Sequence, residues 1–195
     1  MGNQGGKEKD DKGDHLSREQ LEDIHRLALN EISDMFKWFK KEAPTSVITK
    51  AEFKGVLQRM GVEDPFLQDL IFKVFDGTKT GCIRFPEFVL ALSIITRGTP
   101  DEKLEFAFQM YDLDDKGHIT REDMNKIMTS FLNLVGGDVV TFSGKKFESV
   151  EQLADAFFEQ MDSMGDGKIT IEEYKEGAIR NPDIVIGLGL SELRN

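Results

Sequence analysis

The sequence predicts an all-α fold built from four helix–loop–helix units in two pairs, a compact two-lobed molecule. Three observations carry that prediction. Four polar segments of one pattern recur: "KEAPTSVITKAE" (41–52), "DGTKTGCIRFPE" (76–87), "DLDDKGHITRED" (112–123) and "DSMGDGKITIEE" (162–173). They start 35, 36 and 50 residues apart, the spacing of a stacked structural repeat. Amphipathic stretches with helix-start signals flank them. "SREQ" at 17, "TPDE" at 99, "TRED" at 120, "SVEQ" at 149 and "TIEE" at 170 each set a hydroxyl residue three before an acid or amide, the capping-box pattern.

The elements follow in order. Residues 1–15 read as a flexible tail, polar and charged, with no apolar segment of a secretory signal. Residues 16–97 hold the first pair of units and 98–181 the second, with a C-terminal segment at 182–195. Asp64 caps a helix that has Pro65 in its first turn. Leu67, Leu70, Ile71, Val74 and Phe75 then share one helical face, and Leu104, Phe106, Ala107, Met110 and Tyr111 do much the same. The glycine-rich insertion "VGGDVVTFSGKKFE" (135–148) reads as a loop joining the third and fourth units.

Bulk composition narrows the function. The 195 residues suffice for a buried core. A formal net charge of -11 gives no basic face for phosphate, which excludes nucleic acid as a partner and favours cations or basic peptides. The single cysteine, Cys82, forms no intramolecular disulfide and fits a reducing, cytoplasmic setting. The longest apolar run, "FVLAL" at 88–92, falls far short of the roughly 20 residues of a membrane span. No phosphate loop, H-E-x-x-H, G-x-S-x-G or G-x-G-x-x-G occurs, and His15, His25 and His118 do not cluster, so the reading is of a non-enzyme.

The repeated segments match a calcium loop. Calcium takes about six to eight oxygens, and a 12-residue loop supplies them from fixed places. Positions 1, 3 and 5 give side-chain oxygens, position 7 a backbone carbonyl, and position 12 a bidentate carboxylate from the next helix. Glycine at position 6 permits the sharp turn, and an apolar residue at position 8 pairs neighbouring loops. This is the EF-hand. The first segment fails, because Lys41, Ala43 and Thr45 hold the first three ligand positions; its role is structural, with Ile48 pairing to Ile83. The second offers Asp76, Thr78, Thr80, the Cys82 carbonyl and Glu87. The third offers Asp112, Asp114, the His118 carbonyl and Asp123, but Lys116 sits at position 5. Asp123 is one methylene shorter than Glu, which shifts preference toward Mg2+. The fourth offers Asp162, Asp166, the Lys168 carbonyl and Glu173. Its Met164 is a soft thioether in an oxygen's place, so the reading is a working but weakened Ca2+ site, with Ile169 packing on Ile119.

Eight methionines and "MFKWF" (35–39) are core residues taken singly. Taken together they are surface that opening of the helix pairs would present to an amphipathic helix of a target protein. Gly2 in "MGNQGGK" is a candidate myristate acceptor, although Gly6 stands where the pattern has Ser or Thr. One such chain would give reversible, peripheral membrane attachment.

The chain resembles the neuronal calcium sensor family, the group of frequenin and recoverin, from about residue 27 to 190. The resemblance lies in "FKWFKKEAPTSVITKAEF", "FPEFVLALSIITRGTPDEKLEFAFQMYDLDDKGHIT" and "FFEQMDSMGDGKITIEEYKEGAIRNPDIV". It departs from the family at Ala43-Pro44, where the family shows Cys-Pro. The resemblance implies two EF-hand pairs, a silent first loop, calcium in the others and an acylated tail. It also implies a hydrophobic groove for receptors, channels or kinases. The rival expectation is a constitutive regulatory subunit, like the B subunit of calcineurin, with structural metal sites. A second rival is a calcium or magnesium buffer, which would open little on binding.

Overall fold

The computed structural model describes residues 29–135, 140–142 and 145–180. The tail, Gly2, the Ser17 cap, His15, His25 and the segment 182–195 lie outside the described residues.

Each unit is a helix, a loop ending in a three-residue strand, and a second helix. The first lobe holds α1 (Leu29–Glu42), β1 (Val47–Thr49), α2 (Lys50–Arg59), α3 (Pro65–Phe75), β2 (Cys82–Arg84) and α4 (Phe85–Arg97). The second holds α5 (Pro100–Tyr111), β3 (His118–Thr120), α6 (Arg121–Val135), β4 (Val140–Phe142), β5 (Lys145–Phe147), α7 (Val150–Met161), β6 (Lys168–Thr170) and α8 (Ile171–Arg180). This is the all-α, two-lobed EF-hand architecture.

The helix starts are set by local chemistry. Thr99 accepts from the Glu102 amide, and Glu102 accepts from the Thr99 amide at 2.5 Å, a complete capping box. Thr49 and Glu52 form another at the start of α2. Asp64 accepts from the Leu67 amide at 2.8 Å, with Pro65 at the first helical position. Ser149 caps α7 through the Gln152 amide, but the Gln152 side chain accepts from the Glu148 amide instead of closing the box.

Antiparallel pairing joins the loops two by two. Ile48 faces Ile83 across β1–β2, and Ile119 faces Ile169 across β3–β6. All four isoleucines are fully buried. Three-residue strands are too short to persist alone. Burial of these branched side chains, worth about 1.5–3 kcal/mol each, is what holds the ladders in register.

The first core gathers Phe39, Phe53, Phe72, Phe75 and Phe88, with ring centroids 5.2–6.0 Å apart along the chain of contacts. The second gathers Tyr111, Met124, Ile127, Met128, Phe157 and Tyr174. The helical face read from the sequence of α3 is divided between them. Leu67 and Leu70 belong to the second core, while Val74 and Phe75 belong to the first, with Ile71 packed against it. In α5, Leu104, Ala107 and Tyr111 lie in the second core, Phe106 packs against the first, and Met110 packs against both.

The expected loop at 135–148 is corrected. There α6 runs to Val135, and β4 and β5 form an antiparallel hairpin with Thr141 opposite Lys146. Val140, Thr141 and Phe142 favour a strand, and Phe147 anchors the lysine-bearing partner strand on the second core. Phe147 of the hairpin packs against the second core.

Truncating a loop-pairing residue leaves a cavity that a three-residue ladder cannot close. Ile83→Ala and Ile169→Ala should each lower stability by about 2–5 kcal/mol in chemical denaturation of the metal-free protein. Ile95→Ala, at an exposed position, should stay within about 0.5 kcal/mol of the parent.

Candidate metal centre

Loop one is closed without any metal-ligand pattern. Ala43 is buried in the first core beside Ile48, and Ser46 adopts a positive φ of 68°. Glu52 accepts from the Thr49 amide and hydroxyl, at 2.8 and 2.7 Å.

Loop two is organised from both ends. The Asp76 carboxylate accepts from the Thr80 amide at 2.9 Å and the Gly81 amide at 2.8 Å. Gly81 has φ +82°, which places its amide inside the turn and which an L side chain rarely adopts. From the other end, Glu87 sits in the first turn of α4. One of its oxygens accepts from the Arg84 amide at 2.8 Å. The other reaches nine residues back to the Thr78 amide at 3.0 Å and the Thr78 hydroxyl at 2.5 Å. Asp76 and Glu87 are both buried. The Thr80 hydroxyl donates to the Cys82 carbonyl at 3.0 Å.

Loop four repeats this plan. Asp162 accepts from the Gly165, Asp166 and Gly167 amides at 2.7, 3.2 and 2.9 Å. Glu173 accepts from the Thr170 amide and hydroxyl with one oxygen, both at 3.0 Å. With the other it accepts from the Met164 amide at 3.1 Å and the Ser163 hydroxyl at 3.2 Å. Burial alone would raise the Glu173 pKa, but these bonds outweigh it and hold the group below its ordinary value. Met164 contributes its backbone to this frame while its side chain is 79% exposed. Asp166 is turned to the Lys168 amide at 2.9 Å.

Loop three departs from the plan. Asp112 accepts from the Lys116 and Gly117 amides at 2.8 and 2.6 Å, as its counterparts do. Asp123 bonds the Thr120 amide at 3.0 Å and hydroxyl at 2.7 Å. Its remaining partner is the Lys116 ammonium, 3.2 Å away, which also lies 3.2 Å from Asp114. The Asp123 bond is the chief cause that raises the Lys116 pKa.

The donor sets of loops two and four fit a hard divalent cation. They combine a first-position Asp, buried at Asp76 and half-buried at Asp162, a buried twelfth-position Glu and either two Thr hydroxyls or a second Asp, with the Cys82 or Lys168 carbonyl alongside. Among the described residues, no three Asp, Glu, His or Cys side chains already converge as a metal-ready cluster. The carboxylates are instead satisfied by loop amides and hydroxyls. Sequence reasoning singled out the acids, Thr78 and Thr80 but missed the Ser163 hydroxyl and the Met164 amide, which follow no side-chain ligand pattern.

Paired helix–loop–helix units joined through position-8 isoleucines define the EF-hand class. A family model described as an EF-hand domain pair matches residues 101–179. The "Calcium-binding protein NCSA" of Dictyostelium discoideum is 48% identical over 172 residues, covering 88% of this chain and 91% of that protein. The chain belongs to the EF-hand family of calcium-binding proteins.

Because the Met164 side chain stands clear of the loop, an acid can replace it without repacking a core. Met164→Asp should tighten calcium binding in loop four by about tenfold or more, since affinity follows the number of charged ligands. Glu173→Gln should abolish that site. Isothermal titration calorimetry reads both changes.

Proposed function

We propose that this chain is a cytoplasmic calcium sensor of the neuronal calcium sensor type, regulating a target protein without catalytic activity. The observation that carries the reading is the double attachment of Glu87 and Glu173. Each joins the position-3 side of its loop to the first turn of the exiting helix.

In loop two the holding residues would be Asp76, Thr78, Thr80, Glu87 and the Cys82 carbonyl. In loop four they would be Asp162, Asp166, Glu173 and the Lys168 carbonyl. Bound calcium supplies a hard dication that draws carboxylate and carbonyl oxygens toward one point. Glu87 would leave its Thr78 bonds to hold the ion, and α4 would follow because Glu87 is part of its first turn. Glu173 and α8 are related in the same way.

The apolar surface for a partner is in the first lobe. Phe36 and Trp38 on α1 and Ile95 on α4 are exposed. Trp38 stacks on Phe88 with ring centroids 5.1 Å apart and planes at 16°. Phe88 immediately follows Glu87, so any turn of α4 moves the surface beneath the indole. The ligand that fits such a face is an amphipathic helix with apolar residues at helical spacing. Acylation of Gly2 would add reversible membrane attachment, which the intact mass of protein from a eukaryotic host tests. Among the described residues no helix is long and apolar enough to cross a membrane.

The single tryptophan makes the test direct. Calcium should shift Trp38 emission and increase binding of a hydrophobic dye. Glu87→Gln should suppress the Trp38 response, and Glu173→Gln should leave most of it. Unchanged emission and dye binding across the titration would overturn the sensor reading and leave a constitutive EF-hand subunit.

A further inference from the structure

The third loop carries an inference that rests on the EF-hand reading but opposes what that reading expects of this loop. In loops two and four a Glu spans the loop to the residue nine positions before it, bonding the Thr78 or Met164 amide. In loop three the equivalent pair is Asp123 and Asp114. Asp123 is one methylene shorter, and the span is filled by the Lys116 ammonium, 3.2 Å from each carboxylate. Asp123 is almost fully buried, so it needs a compensating partner, and Lys116 supplies one from within the loop.

The outer side of the same loop is bound to the first lobe. Lys73 of α3 donates to the carbonyls of Asp112 and Leu113 and lies 2.9 Å from the Asp115 carboxylate. Lys79 of loop two lies 2.6 Å from the other Asp115 oxygen. Asp115 holds a left-handed φ of 53°, which turns its side chain outward to both lysines. Three of the four carboxylates at or beside the ligand positions are thus engaged by ammonium groups, and the fourth, Asp112, by loop amides.

We propose that loop three takes no divalent cation, because Lys116 closes it from inside while Lys73 and Lys79 fasten it to the first lobe as a joint. A dication entering the loop would meet a tethered positive charge at a ligand position. It would also have to separate Lys116 from a buried carboxylate. Met164, at the third position of loop four, brings no such charge, and its side chain stands in solvent.

The test uses the full chain with loops two and four silenced by Glu87→Gln and Glu173→Gln, titrated calorimetrically with calcium and, separately, with magnesium. The expected result is no bound cation with either metal. Adding Lys116→Asp and Asp123→Glu to that chain should restore a single calcium site. A site already present in the silenced chain overturns the proposal, and so does failure of the Lys116→Asp, Asp123→Glu chain to gain one while circular dichroism shows it folded. The outcome is independent of the sensor reading, which fails instead if the unmodified chain binds no calcium at all.

Discussion

The reach of one carboxylate governs how each loop is built. A Glu in the first turn of the exiting helix caps that helix with one oxygen and crosses the loop with the other. Glu87 does so to Thr78, and Glu173 to Met164 and Ser163. Both carboxylates are buried, and a buried charge is tolerated only when its oxygens are bonded. The same bonds therefore hold the metal-free loop in shape and couple loop to helix. Removing one methylene, as at Asp123, breaks the crossing and brings a lysine into the gap.

This local device has consequences beyond its own loop because the loops are paired and the lobes share helices. The buried isoleucine pairs connect the first loop to the second, and the third to the fourth. Helices α3 and α5 each place side chains in both cores. Displacement of α4 or α8 is thus felt by a packed neighbour, since close-packed interiors transmit strain. The ion pairs of Lys73 and Lys79 with Asp115 add a polar connection between the lobes, in which the Lys79 hydrogen bond is the main cause that holds Asp115 below its ordinary pKa.

Much of the architecture is legible in the chain because its determinants are local. Capping residues such as Thr99, Glu102 and Asp64 act within one helical turn. The loop acids and Gly81 occupy places that follow directly from the coordination of a hard cation. The pairing of β4 with β5 is less legible, since its setting is glycine-rich and Lys145 and Lys146 are poor strand formers.

By itself the sequence determined the repeat, the two pairs, the lack of acids at the first ligand positions of loop one and which acids stand at ligand positions elsewhere, because each depends on spacing along the chain. Tertiary structure alone decided the rest. It sorted the apolar face of α3 between two cores and turned the Met164 side chain to solvent while using its amide. It brought Lys73 to loop three from 39 residues away. The reason is that hydrogen bonds and ion pairs of this kind depend on distance in space, and the folded lobes set that distance where local residue order does not.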